Sequence, residues 1–110
     1  MKILVYLNFK MNEESLYQES VELLKELIST QSFSFHEENT ATLLENWLNK
    51  NSIPFKRHVN NIYCYNKYYD EEKPNILLNS HHDTVEPNDS YTNDPYEPIV
   101  DQGKLYGLGS

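Results

Sequence analysis

The chain has 110 residues with 9 basic and 17 acidic side chains, a formal charge of −8 with the histidines neutral, and apolar residues make up 38%. That supports one compact unit, since domains run to ~100–200 residues. Lysine and arginine are scattered and outnumbered, which argues against nucleic acid or an anionic membrane surface as partner, and no apolar run approaches the ~18–20 residues of a spanning helix. Cys64 is the single cysteine, so an internal disulfide and a cysteine-built zinc cluster are excluded and a reducing, cytoplasmic setting is the expectation.

Residues 1–10 read as an N-terminal extension. Lys2 followed by Ile3-Leu4-Val5-Tyr6-Leu7 has the outline of a very short signal peptide, but Asn8-Phe9-Lys10 offers no small-residue cleavage site. An edge strand, or a stretch upstream of a start at Met11, is the plainer reading, because helix signals begin directly after Met11. Asn12 is a good N-cap, and Glu13 and Glu14 fall where the helix dipole favours negative charge. Leu16, Ser20, Leu23, Leu24, Leu27 and Ile28 then recur at helical spacing, predicting an amphipathic helix over residues 13–29. Ser34 with Glu37 three residues on reads as a capping box opening a second helix. Its apolar face is Ala41, Leu44 and Leu48, joined by Leu43 and Trp47, and Ile53-Pro54 ends it.

From Phe55 the period changes to two. Phe55, Arg57 and Val59 alternate with Lys56 and His58, Asn60-Asn61 punctuates, and Ile62 to Tyr65 reads as a second strand. Asn66 to Pro74 is polar, acidic and tyrosine-rich, as a solvated loop is. Ile76-Leu77-Leu78 is an uninterrupted apolar run, expected for a strand covered on both faces. Pro87, Pro95 and Pro98 mark a long loop, and residues 99–106 read as a small hairpin around Gln102-Gly103. Average usage would give about eight glycines, yet there are three (Gly103, Gly107 and Gly109), all within the last eight residues. A glycine-rich bend needs neighbours to bend toward, so the chain reads as the front part of a longer protein cut inside a functional loop. Helices on a partly parallel sheet, an α/β layer architecture, is the assembly this order suggests.

Chemistry concentrates in Asn79-Ser80-His81-His82-Asp83-Thr84-Val85, beyond the carboxyl end of the apolar run, where open α/β sheets place their ligands. Neutral imidazole is the commonest metal-binding side chain, and a bound histidine usually donates its other N–H to a carboxylate. In an extended segment residues two apart share a side. His81 and Asp83 therefore face one way and His82 the other. The spacing alone also suits an ordinary surface His–Asp pair, and a full zinc site needs three or four ligands. His36 and His58 read as solvated. Asp70-Glu71-Glu72 reads as a loop face rather than a calcium site, because Lys73 and Pro74 interrupt it. A phosphohydrolase-type His-Asp dyad fits poorly, since such dyads lie on helices.

The string Asn75-Ile76-Leu77-Leu78-Asn79-Ser80-His81-His82-Asp83-Thr84-Val85, then Pro87, Asp94-Pro95-Tyr96 and Gly103-Lys104-Leu105-Tyr106-Gly107-Leu108-Gly109-Ser110, resembles the amino-terminal part of the M20-type metallopeptidases. Within them it is most similar to acetylornithine deacetylases and succinyl-diaminopimelate desuccinylases, and the two helices and the Asn60-Asn61-Ile62-Tyr63 strand match in order from Met11 onward. The resemblance implies that residues 11–110 are the front of a zinc-peptidase-like three-layer catalytic domain, two helices and then strands of a mixed sheet. It implies a zinc or cobalt amidohydrolase of amino-acid (arginine) biosynthesis that removes an acyl group from a small N-acyl amino acid. His81 would be a metal ligand and Asp83 the catalytic carboxylate orienting it. The general base, the remaining ligands and a lid domain that commonly makes such enzymes homodimers would lie beyond Ser110, leaving the isolated chain inactive. Two positions depart from the pattern: arginine more often stands where Leu108 does, and Glu86 separates the usual valine and proline. A dipeptidase or carboxypeptidase of the same family is the rival within catalysis, and a small acidic interaction module without metal the rival outside it.

Overall fold

A computed structural model describes residues 12–110, so the reading of residues 1–10 falls outside the described residues. Helix α1 (Glu13–Ile28) starts where the capping signal puts it: Asn12 Oδ1 accepts the Ser15 amide at 2.7 Å, with Glu13 and Glu14 in the first turn. It stops one residue earlier than periodicity predicts, at Ser29, whose amide bonds back to Lys25. Helix α2 (Glu38–Lys50) packs against it. Ile28 of α1 and Ala41 of α2 are the buried apolar side chains among the described residues. Leu43, Leu44, Trp47 and Leu48 form the predicted face but remain half-buried.

The capping box expected at the start of α2 is corrected. Residues 33–36 make a turn, closed by the His36 amide on the Phe33 carbonyl at 2.8 Å, and Phe35 takes a left-handed conformation (φ 72°). The helix therefore waits until Glu38. Glu37 stands at the N-cap with its carboxylate turned back to the Phe35 amide at 2.6 Å and to Asn60 Nδ2 at 3.0 Å, and Ser34 is left for another partner.

Strands β1 (Lys56–His58) and β2 (Asn61–Tyr63) form an antiparallel hairpin in the register Arg57↔Ile62, turning through Val59 at φ 57° and Asn60. Arg57 ties the hairpin to α2 through Glu45 Oε2 at 2.7 Å. β3 (Ile99–Asp101) and β4 (Lys104–Tyr106) make the second hairpin. Gln102 and Gly103 both have positive φ, the backbone that a two-residue turn requires to match strand twist. Past it Gly107 comes up against α1, and Gly109 against Thr84. A Cβ on Gly107 would run into Cγ2 of Ile28, so only glycine allows this approach.

The described residues thus form a mixed α/β arrangement of two helices and two small, separate antiparallel sheets. The expected partly parallel sheet is not formed among them: its one parallel pairing is an isolated bridge between Phe33 and Thr84. The predicted strand at Ile76-Leu77-Leu78 is likewise corrected. These side chains are 89%, 86% and 90% exposed, in a stretch without regular structure. A strand takes its ladder and its cover from neighbours, and among the described residues none lies beside this one. No helix of the described residues is long and apolar enough to cross a membrane.

Candidate functional site

The segment after the exposed apolar run is pinned to the helical part of the molecule at a few points. The Thr84 amide donates to the Ser32 carbonyl at 2.7 Å, next to the Phe33–Thr84 bridge. That bridge lays residues 83–85 along residues 32–34, and the two histidines just before it face opposite sides, as the sequence predicts.

His82 faces the helices. Its Nε2 lies 3.0 Å from the Asn60 carbonyl and its Nδ1 2.8 Å from Thr40 Oγ1, which is itself 2.7 Å from Ser32 Oγ. A carbonyl only accepts, so Nε2 carries the proton, and in the neutral ring Nδ1 accepts from Thr40. Ser32 and Thr40 are the fully buried polar side chains among the described residues, 1% exposed each, and in this chain of bonds both hydroxyls are satisfied. His82 is thus a structural tie joining α2, the β1–β2 turn and the site segment.

His81 faces away and its side chain is 83% exposed. Its Nδ1 is 2.9 Å from Asp83 Oδ1 and 3.0 Å from the Asp83 carbonyl. Both are acceptors, so the neutral ring holds its proton on Nδ1 and leaves the Nε2 lone pair outward. The other oxygen of Asp83 accepts from the Ser34 hydroxyl. That bond first, and then His81, hold the Asp83 carboxyl below the ordinary aspartate value against a desolvation that pushes it up. Nearby, the Phe35 amide and then Asn60 hold Glu37 below the ordinary glutamate value.

The segment separates two hollows. One, of about 460 Å³, is lined by Leu24, Leu27 and Ile28 of α1, by His81, and by Leu108 and Gly109. The other, of about 530 Å³, lies between Phe35, Glu37, Asn60 and Asn79. His81 lines both.

An oriented imidazole with its second nitrogen outward suits one metal ligand. Among the described residues, however, no group of three or more His, Cys, Asp or Glu is placed to hold an ion. The chain fits one ligand of a metal site, and the described residues do not close one. His36 and His58 are exposed, and neither lines either hollow. The sequence reading missed Ser32, Thr40 and Asn60. Thr40 carried a signal, since it shares the helical stripe of Leu44 and Trp47, where a hydroxyl must find a buried partner.

The chain is similar to curated succinyl-diaminopimelate desuccinylases. That of a Nitratiruptor species is 28% identical over 94 residues, covering 84% of this chain and 25% of its own length. That of a Sulfurovum species is 26% identical over 92 residues, covering 82% and 24%. The chain therefore spans about a quarter of the length of the curated relatives it matches. No protein-family model matches it.

Proposed function

We propose that this chain is the amino-terminal part of a metal-dependent amide hydrolase of the M20 type, which removes an acyl group from a small N-acyl amino acid. The observation that carries the proposal is the His81–Asp83 pair, 2.9 Å apart and in the tautomer that turns Nε2 outward. The names of the relatives favour succinyl-diaminopimelate as substrate, and the motif leaves acetylornithine as the second candidate. The reading includes the three-layer domain, in which Ile76-Leu77-Leu78 gains strands on either side.

His81 would hold zinc or cobalt through Nε2, with further ligands from outside the described residues. Such an ion supplies Lewis acidity, polarising an amide carbonyl and making hydroxide accessible near neutral pH. The chain's own residues do the positioning. Asp83 keeps the proton on Nδ1, fixes the ring plane and makes the imidazole a stronger donor. His82, tied to Thr40 and Asn60, holds the backbone from which His81 projects. The aliphatic wall of Leu24, Leu27 and Leu108, which lines the same hollow as His81, suits the hydrocarbon part of an acyl amino acid.

The test is hydrolysis by the complete polypeptide of N-succinyl-diaminopimelate, N-acetylornithine and a dipeptide, read as release of succinate, acetate and a free amino acid respectively. Hydrolysis of the first above the other two is expected, with none by the 110-residue chain alone. Preferential cleavage of the dipeptide would move the assignment to the peptidases, and turnover by the 110-residue chain would refute the incomplete site.

A further inference from the structure

Ser34 has no role in the chemistry proposed above, and the helix-capping role its sequence neighbourhood suggests is not the one it plays. The turn at residues 33–36 and the left-handed Phe35 carry its hydroxyl away from the start of α2, and the Phe33–Thr84 bridge brings it against Asp83, 49 residues along the chain. The two oxygens of Asp83 are thus divided between two partners: Oδ2 accepts from Ser34 and Oδ1 accepts from His81 Nδ1.

That division has a mechanical consequence. The terminal torsion of an aspartate is broad and roughly two-fold, so a carboxylate held at one oxygen only swings. The His81 ring is 83% exposed, and its Nδ1–H is shared between that carboxylate and the Asp83 carbonyl at 3.0 Å. The side-chain part of that hold depends on the orientation of the Asp83 carboxylate, and what anchors the carboxylate is Ser34. Ser34 is itself fixed from both sides: by the His36–Phe33 bond closing its turn at 2.8 Å, and by Glu37, which takes the Phe35 amide at 2.6 Å.

We infer that Ser34 is a positioning residue, whose hydroxyl clamps Asp83 so that His81 stays in the Nδ1–H tautomer with Nε2 presented for a ligand. This rests on the His81–Asp83 pairing in the proposed function, and the two are separable by experiment. Nitrogen-15 NMR of the imidazole rings in the 110-residue chain, at a pH about two units above the ~6.5 of an ordinary imidazole, reads the tautomer directly. Hydrogen exchange at the Thr84 amide, bonded to Ser32, reports whether the bridge is intact. Wild type should show His81 predominantly as Nδ1–H. Ser34→Ala should lose that predominance while keeping Thr84 protected and His82 in the Nε2–H form. Ser34→Thr, which retains a hydroxyl, should restore it. Asp83→Ala, which leaves only the backbone carbonyl as acceptor, should lower it to the same extent as Ser34→Ala or further. A Ser34→Ala protein that keeps the wild-type His81 tautomer, with Asp83→Ala losing it, overturns the role of Ser34 alone. If Asp83→Ala also keeps it, the pairing beneath the proposed function fails. Loss of the tautomer in Ser34→Ala together with Thr84 protection, unrescued by threonine in a protected Ser34→Thr protein, would make Ser34 a structural residue and overturn the inference.

Discussion

The helical part of the molecule and the stretch from Pro74 to Pro98 are built on different principles. α1 and α2 start and stop on local signals and close over Ile28 and Ala41, whereas the later stretch contains no helix or ladder of its own and exposes Ile76, Leu77 and Leu78 almost completely. The side chains suited to chemistry nevertheless lie in the second region. They are held because three residues before α2 or in its first turn reach across: Ser32 to Thr84, Ser34 to Asp83 and Thr40 to His82. Secondary structure here positions a site without containing it.

The sharpest way to break this comparison is to empty the one region and leave the other. Ile28→Ala removes a side chain that is 4% exposed and that Gly107 packs against, and should cost about 2–5 kcal/mol by urea unfolding. Thr40→Val cuts the tie between the regions, leaving the buried Ser32 hydroxyl and His82 Nδ1 short of a partner, at a cost of about 1–3 kcal/mol. Glu37→Gln is smaller and depends on pH. The Phe35 amide and Asn60 lower the Glu37 pKa on folding, and such a group adds stability above its unfolded value that is lost as pH falls through the folded one. Thermal melts should therefore separate variant from wild type near neutrality and converge in acid. Leu77→Ala, in a side chain 86% exposed, should stay within about 0.5 kcal/mol of wild type. An effect of Leu77→Ala as large as that of Ile28→Ala would erase the distinction between the regions.

How much of this is legible in the sequence follows the same divide. Asn12, the α1 periodicity and the turn at Gln102-Gly103 act through neighbours a few residues away, and the sequence alone places them. The opposite facing of His81 and His82 is also legible, because alternation in an extended backbone needs no tertiary information. Ser34 misleads, since a serine followed three residues later by glutamate is a capping signal only if the intervening backbone turns helical, and Phe35 does not. Ile76-Leu77-Leu78 misleads in another way, because a run of apolar residues states a need for neighbours and does not show that they are present.

The central claim is that His81 is a metal ligand. It is tested most directly by the zinc content of the complete polypeptide purified in parallel as wild type and as His81→Ala. Wild type should carry the metal and His81→Ala should lose most of it, while the exposed control His58→Ala, which lines neither hollow, keeps it. Equal zinc in wild type and His81→Ala would contradict the claim.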